Sequence, residues 1–199
     1  MAVLGADCCQ CNNWHFIKRM SKWIQTEFFS SPYGELILGS YNDQLCLCDW
    51  RYRKRREGID RRIESGLRAN FVESGSRVIE ETKAQLLQYF SGERKEFDLP
   101  LLLVGTEFQK RVWNSLIEIP YGKTLSYTGL SRKLGDEKAI RAVARANGDN
   151  ALAIIVPCHR ILGSDGSLTG YAGGLRTKKK LLQLENASLQ RELKFDFKE

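Results

Sequence analysis

Between Trp23 and Trp50 the apolar positions come in short runs broken by turn residues. Thr26-Glu27-Phe28-Phe29 leads into Ser31-Pro32-Tyr33-Gly34. Leu36-Ile37-Leu38 follows, and Asn42-Asp43 separates it from Leu45-Cys46-Leu47-Cys48-Asp49-Trp50. Runs of this length joined by turn formers predict a meander of two hairpins. Strict alternation puts Cys46 and Cys48 on one face of the last strand, as packing residues. Arg51 to Arg68 is dense in arginine and poor in apolar positions, which predicts a solvated loop or an irregular helix, with direct DNA contact as the lesser alternative. From Ser76 to Phe90 the period lengthens to that of an amphipathic helix, with Val78, Ile79, Leu86 and Phe90 available to cover the sheet and Gly92 to stop it. Glu93 to Val104, with Pro100 inside it, reads as a linker between two subdomains.

Beyond the linker the pattern is mainly helical. Thr106 and Gln109 form a capping box, each side chain satisfying an orphan backbone N–H. Phe108, Val112, Trp113 and Leu116 make the apolar stripe behind it, and Pro120-Tyr121-Gly122 turns the chain. A short helix from about Ser126 to Leu134, closed by Gly135, and a second from about Glu137 to Asn147 suggest a helix-turn-helix. On the second helix Ala139, Ile140, Val143 and Ala146 fall on the core side, while Arg141 and Arg145 stand opposite, one turn apart. Ala142 and Ala144 flank those arginines. Small side chains let a helix backbone lie close to another surface, and arginine supplies charge and planar donors, so this face suits a nucleic-acid groove. Asn147-Gly148-Asp149-Asn150 then turns the chain into Ile154-Ile155-Val156, a β-branched run read as a buried strand that stops at Pro157. After a turn at Ser164–Ser167 and a glycine-rich loop at Gly170–Gly174, a last helix starts near Thr177. Leu181, Leu182 and Leu184 set its buried arc, with Glu185 near the middle. The expected organisation is an extension over 1–19, an α/β subdomain over 20–100, a second domain over 101–187 and a tail over 188–199.

Composition narrows the class. A net charge of +7 and a pI near 9.1 favour a polyanionic partner. Six irregularly spaced cysteines in a lysine- and arginine-rich chain of 199 residues do not form a disulfide framework, and a reducing intracellular compartment fits them better. No apolar run reaches membrane-spanning length, and no secretory signal opens the chain. Cys8, Cys9, Cys11 and His15 lie close together, but their spacing matches no zinc finger and adjacent cysteines rarely share a metal, so no metal is expected.

The chemistry concentrates at Cys158-His159. A thiol is a strong nucleophile only as thiolate, which a neighbouring imidazole or cation favours. The alternative is a small buried apolar cysteine at a strand end. Adjacent strand residues point apart, so sequence adjacency alone does not make a Cys–His pair. A carboxylate on a core face needs a partner, and Glu185 could orient one nitrogen of His159 while the other draws the thiol proton. The glycine-rich loop could line a flat pocket; a phosphate-binding loop is the rival idea, but no GK[ST] follows.

Taken together, Gly105-Thr106-Glu107-Phe108-Gln109, Val112-Trp113, Ile119-Pro120-Tyr121-Gly122, Ser126-Tyr127, Arg141-Ala142-Val143, Asn150, Pro157-Cys158-His159-Arg160, Gly170-Tyr171 and Gly173-Gly174 occur in an order that closely resembles the O6-alkylguanine-DNA alkyltransferases. The resemblance is dense from Gly105 to Glu185 and looser before it. It implies an α+β architecture, with a ribonuclease H-like N-terminal β-meander-plus-helix subdomain and a mainly helical C-terminal one carrying a winged helix-turn-helix-like element. It implies single-use repair of O6-alkylguanine, and of O4-alkylthymine, in double-stranded DNA, by a cytoplasmic or nuclear monomer that approaches from the minor groove and needs no cofactor. Cys158 would be the acceptor and His159 would deprotonate it through a water. Glu185 would orient the imidazole, Tyr127 would assist the leaving guanine, and Asn150 would brace the turn. Ser126, Tyr127, Arg141, Ala142 and Arg145 would contact DNA, with Arg141 filling the space of the flipped nucleotide. Pro157, Ile161, Tyr171, Ala172 and Gly173 would line the base pocket. Two departures stand out: Ala172 where some relatives carry a hydroxyl, and Ala151 where proline is common. The rival readings are a non-enzymatic lesion-binding relative, in which the acceptor cysteine is typically replaced, and a cysteine hydrolase, for which the sequence offers no oxyanion hole.

Overall fold

The computed structural model describes residues 22–185; the clustered cysteines of the N-terminal extension, His15 and the C-terminal tail lie outside the described residues. Strands β1 (Trp23–Ser31), β2 (Gly34–Tyr41) and β3 (Gln44–Trp50) form the expected antiparallel meander. Asn42 and Asp43, at φ 49° and 60°, make the tight two-residue hairpin turn that needs two left-handed residues. The arginine-rich stretch opens as a mostly exposed turn over 51–55. From Arg56 it is a regular helix rather than the loop or irregular helix its composition suggests, α1 (Arg56–Leu67), because Ile59 and Ile63, one turn apart, are enough to seat it on the sheet. From α1 the chain crosses to β4 (Asn70–Glu73), which pairs parallel with β1 and completes the order β3-β2-β1-β4.

A bulge in β3 overturns the expected pairing of its two cysteines. Gly39 pairs with Leu47 and Ser40 with Leu45, which leaves Cys46 as the extra residue. The alternation therefore slips. Leu45 and Cys48 pack with Leu36 and Leu38 towards helix α2 (Arg77–Phe90), while Cys46 and Leu47 join Ile24, Ile59 and Ile63 under α1. The sheet is thus covered on both faces. The Ser76 hydroxyl caps α2 by accepting from the Ile79 N–H at 3.2 Å.

The segment read as a linker is strapped to the sheet. Leu45 donates to the Pro100 carbonyl at 2.7 Å, and Leu102 donates to the Leu45 carbonyl at 2.8 Å. Residues 151–153 use the same β3 edge, through Cys48 N–H to the Ala151 carbonyl (2.8 Å) and Ala153 N–H to the Cys48 carbonyl (2.6 Å). One continuous buried cluster runs from Leu36 and Tyr89 through Trp113 to Leu181.

The C-terminal part holds α3 (Glu107–Ile117), α4 (Tyr127–Lys133), α5 (Ile140–Gly148) and α6 (Leu175–Leu184), with a short parallel pair of β5 (Leu125–Ser126) and β6 (Ile161–Leu162). The capping box at Thr106 and Gln109 forms as read. The Trp113 indole N–H donates to the Ala146 carbonyl at 2.8 Å and pins α3 to α5. Two apolar positions depart from the expected stripes: Phe108 and Ile140 are exposed. Phe108 sits in the first turn of α3. Ile140 follows a 3-10 turn at Glu137–Ala139 that rotates the start of α5 away from the ideal helical wheel. Among the described residues no helix is long and apolar enough to cross a membrane.

Candidate active site

The β-branched run before Cys158 is not a strand. Ile154 takes φ 73°, a conformation β-branched residues rarely adopt, and the chain folds back so that Val156 donates to the Leu152 carbonyl at 2.8 Å. Asn150 holds this turn at both ends. Its Oδ1 accepts from Leu152 N–H at 2.9 Å, and its Nδ2 donates to the Val156 carbonyl at 2.9 Å. Periodicity could not reveal the turn, because burial favours the same residues in a tight hydrophobic loop as in a strand. Beyond Pro157 the residues Cys158–Arg160 form one 3-10 turn, and all three are buried. This turn, rather than strand alternation, sets the directions of the thiol and the imidazole.

Glu185, at the C-cap of α6, is the hub of a buried polar cluster. His159 Nε2 lies 2.8 Å from its Oε1, and Arg160 donates to both carboxylate oxygens, Nε at 2.9 Å from Oε2 and an η nitrogen at 2.9 Å from Oε1. The Tyr89 hydroxyl, from α2, donates at 2.7 Å, and the Gly122 N–H donates at 3.1 Å. Burial alone would raise the Glu185 pKa, but the His159 contact and the Arg160 guanidinium outweigh it and hold the carboxyl well below the usual range. Complete burial pushes His159 down, against the pull of Glu185, so the imidazole is neutral at pH 7. With Nε2 engaged, His159 Nδ1 is buried and has no hydrogen-bond partner among the described residues. A buried ring nitrogen left open in this way is a proton acceptor waiting for a donor.

Cys158 differs from the picture of a resting thiolate. Burial raises its pKa; a hydrogen bond from Asn150 and the charges of Lys178 and Arg53 oppose this without reversing it. The sulfur therefore rests as a thiol. Lys178 is fully buried and meets no carboxylate among the described residues. Its ammonium donates to the Ile161 carbonyl and, at 2.7 Å, to the Thr169 carbonyl, and burial brings its pKa down to about 8.

Cys158 opens onto a cleft of about 860 Å³. Tyr127, Arg145, Asn147 and Asn150 line it, together with Tyr171, Ala172 and Gly173 and with Trp50 and Tyr52–Arg55. Gly173 is there for space: a Cβ on it would sit 2.5 Å from the Trp50 indole. The Tyr127 hydroxyl accepts from Asn147 Nδ2 at 3.3 Å, and burial raises its pKa, so it remains a proton-bearing donor.

The structure thus gathers Cys158, Tyr127, Asn150, Arg145, Tyr171, Ala172 and Gly173 around one cleft, with His159 and Glu185 behind the thiol. Pro157 and Ile161 are buried and do not line it. Ser126 caps α4, its hydroxyl accepting from Gly129 N–H at 3.0 Å, and Arg141 and Ala142 are exposed on α5 outside the cleft lining. Sequence reasoning missed Arg160 as the partner of Glu185, Tyr89, Lys178 and Arg53. Arg53 is buried and reaches Asp49 at 2.6 Å, the Asn150 carbonyl at 2.8 Å and the Gly148 carbonyl. Lysine on the apolar side of the last helix was the one available signal, since Lys178 falls a turn before Leu181 and Leu182. Among the described residues no group of His, Cys, Asp and Glu could hold a metal.

Comparison with known proteins agrees with this geometry. The model of a 6-O-methylguanine DNA methyltransferase ribonuclease-like domain matches residues 24–103, and that of the DNA binding domain of the same family matches residues 107–187. A methylated-DNA–protein-cysteine methyltransferase of Methanosarcina acetivorans is 44% identical over 160 residues, covering 80% of this chain and 96% of that one. Its namesake in Mycobacterium leprae is 44% identical over 165 residues, covering 81% and 92%. The crystal structure of Mycobacterium tuberculosis OGT in complex with DNA superposes with a TM-score of 0.69 at 39% identity, covering 83% of this chain and 93% of that one.

Proposed function

Given that the chain belongs to the 6-O-methylguanine DNA methyltransferase family, we propose that it repairs O6-alkylguanine in DNA by moving the alkyl group directly and irreversibly onto its own Cys158. The observation that carries the assignment is a buried thiol at the wall of a cleft of about 860 Å³, ample for an everted nucleotide, backed by an imidazole with one nitrogen fixed by Glu185 and the other open.

The chemistry follows from the parts. A guanine inside a duplex hides its O6 substituent, so the nucleotide must be everted into the cleft. The Cys158 proton passes to His159 Nδ1, directly or through one water, and Glu185 stabilises the imidazolium that forms. The sulfur attacks the alkyl carbon, an S–C bond forms, and the C–O6 bond breaks. Charge grows on the departing guanine, and the Tyr127 hydroxyl quenches it by donating to the ring. The proton lost by the thiol balances the one guanine gains, and the thioether has no route back to thiol. Asn150 holds the turn that presents Cys158. O4-alkylthymine, of similar shape and leaving-group chemistry, fits the same scheme.

Arg141 and Arg145 stand on the outer side of α5 beside the small Ala142 and Ala144. That face suits a close approach through the minor groove, with Arg141 taking the space of the everted nucleotide. All these groups lie on one chain, so a monomer suffices, working in whichever compartment holds the DNA. The lesion-binding alternative lacks an acceptor, and Cys158 supplies one.

The test is intact mass after incubation with an O6-methylguanine duplex. One methyl per chain, mapped to Cys158, is expected. Cys158→Ala should take up none while keeping its affinity for DNA. A wild-type chain that stays unmodified, or that turns over repeatedly, would refute the assignment.

A further inference from the structure

The run Arg51–Arg56 holds five cations in six residues, and the structure divides them into two kinds. Arg51 pairs with Glu35 at 3.2 Å, Arg53 with Asp49 at 2.6 Å and Arg56 with Asp60 at 2.6 Å. Lys54 and Arg55 are exposed and meet no carboxylate among the described residues. Both line the Cys158 cleft, as Arg145 does. Their position is fixed by their neighbour. Arg53 is buried and donates to the Gly148 carbonyl at the end of α5 and to the Asn150 carbonyl just beyond it, so the segment is fastened to the C-terminal end of that helix.

We propose that Lys54 and Arg55 form a second DNA-contact surface, contributed by the N-terminal subdomain, that holds the phosphates flanking the everted nucleotide. The inference rests on the proposed repair function, since it takes the cleft to be occupied by a nucleotide still joined to its strand. That nucleotide brings its own 5′ and 3′ phosphates to the cleft, where two monoanions call for cations in the lining. Arg145 is one such cation. In the 51–56 run, carboxylates of the same chain neutralise the other arginines and leave Lys54 and Arg55 available. Because Arg53 already fixes the backbone beneath them, little ordering is left to pay for on binding.

The experiment measures the affinity of the full chain for an O6-methylguanine duplex by anisotropy, over roughly 50 to 200 mM salt. For Lys54→Gln/Arg55→Gln the slope of log affinity against log salt should become shallower by about 1.8, or 0.9 for each lost phosphate contact. Lys54→Arg/Arg55→Lys, which keeps the charges, should restore the slope. Arg61→Gln/Arg68→Gln removes the same net charge from exposed positions outside the cleft and should leave it unchanged. An unchanged slope in the first variant, an equal drop in the control, or failure of the charge-keeping swap would each overturn the proposal. Methyl uptake by the wild-type chain, read in parallel, separates the two levels. If it takes up no methyl, the repair reading itself fails; if it takes up one and the slopes coincide, only the contact surface fails.

Discussion

Glu185 shows how one side chain can carry several demands. It orients His159, neutralises Arg160 and accepts from Tyr89 and Gly122, so its charge is stabilised by four residues from three parts of the chain. Glu185→Gln keeps the shape but leaves Arg160 buried without a counter-charge, which should cost about 3–5 kcal/mol in chemical denaturation. It should also slow methyl transfer sharply, because the imidazolium loses its partner. The depressed carboxyl sets a pH dependence with a definite sign. Its folded pKa lies below the unfolded value of 4.5, so its contribution is complete above that pH and is lost as pH falls through the acid range. The acid limb of the stability curve should flatten in Glu185→Gln. As the proposed base His159 would work only when neutral, and its pKa is lowered from 6.5. On the acid side, single-turnover rates should therefore hold steady down to pH 6.5 and fall only below it; a loss of rate on acidification centred at or above pH 7 would exclude His159 as the base.

Among the elements, the glycine-rich loop and α5 divide the work of the cleft. The loop packs Gly173 against the Trp50 indole, where a Cβ would lie 2.5 Å from ring atoms. Gly173→Ala must push the loop or the indole aside, and over-packing of this kind costs about 1–3 kcal/mol. The variant should show slower methyl transfer to the protein even with the free O6-methylguanine base, because the pocket itself is deformed. Arg141→Ala acts differently, since Arg141 lies outside the cleft lining. Reaction with duplex should fall by far more than reaction with the free base, as measured by single-turnover rates on the two substrates. Equal losses would show that Arg141 does not act in extrusion. The bulge at Cys46 belongs to this scale too. A single extra residue reverses the facing of Leu45 and Cys46 and lets β3 serve both α1 and α2.

At the scale of the molecule, the two halves are joined by buried polar contacts as well as by apolar packing. Tyr89 reaches Glu185 from α2, and Arg53 ties Asp49 on β3 to the carbonyls of Gly148 and Asn150. Asp49 is fully buried, and burial pushes its pKa up against the pull of Arg53. Arg53→Met would strand this carboxylate, with only Arg56 left at 4.0 Å. The expected loss is about 3–5 kcal/mol, and a second change, Asp49→Asn, should recover part of it. Because Arg53 also fastens the turn that carries Asn150, methyl transfer should slow in the single variant. Unfolding should remain one cooperative transition in the wild type, since one buried cluster spans both halves.

Local patterns were enough for the meander, its left-handed hairpin turn at Asn42-Asp43, the capping box at Thr106 and Gln109, and α2. Each is fixed by residues within a few positions of one another. The ordered motifs around Pro157-Cys158-His159-Arg160 likewise announced the chemistry, because a reaction constrains residue identity more tightly than a fold does. Only the tertiary structure decided that Ile154–Val156 folds into a turn, that Arg56–Leu67 seats on the sheet, and that Arg53, Tyr89 and Lys178 belong to the site. Burial of a charged or β-branched residue depends on partners as many as 97 positions away, such as Asn150 for Arg53. No local pattern records whether such a partner will arrive.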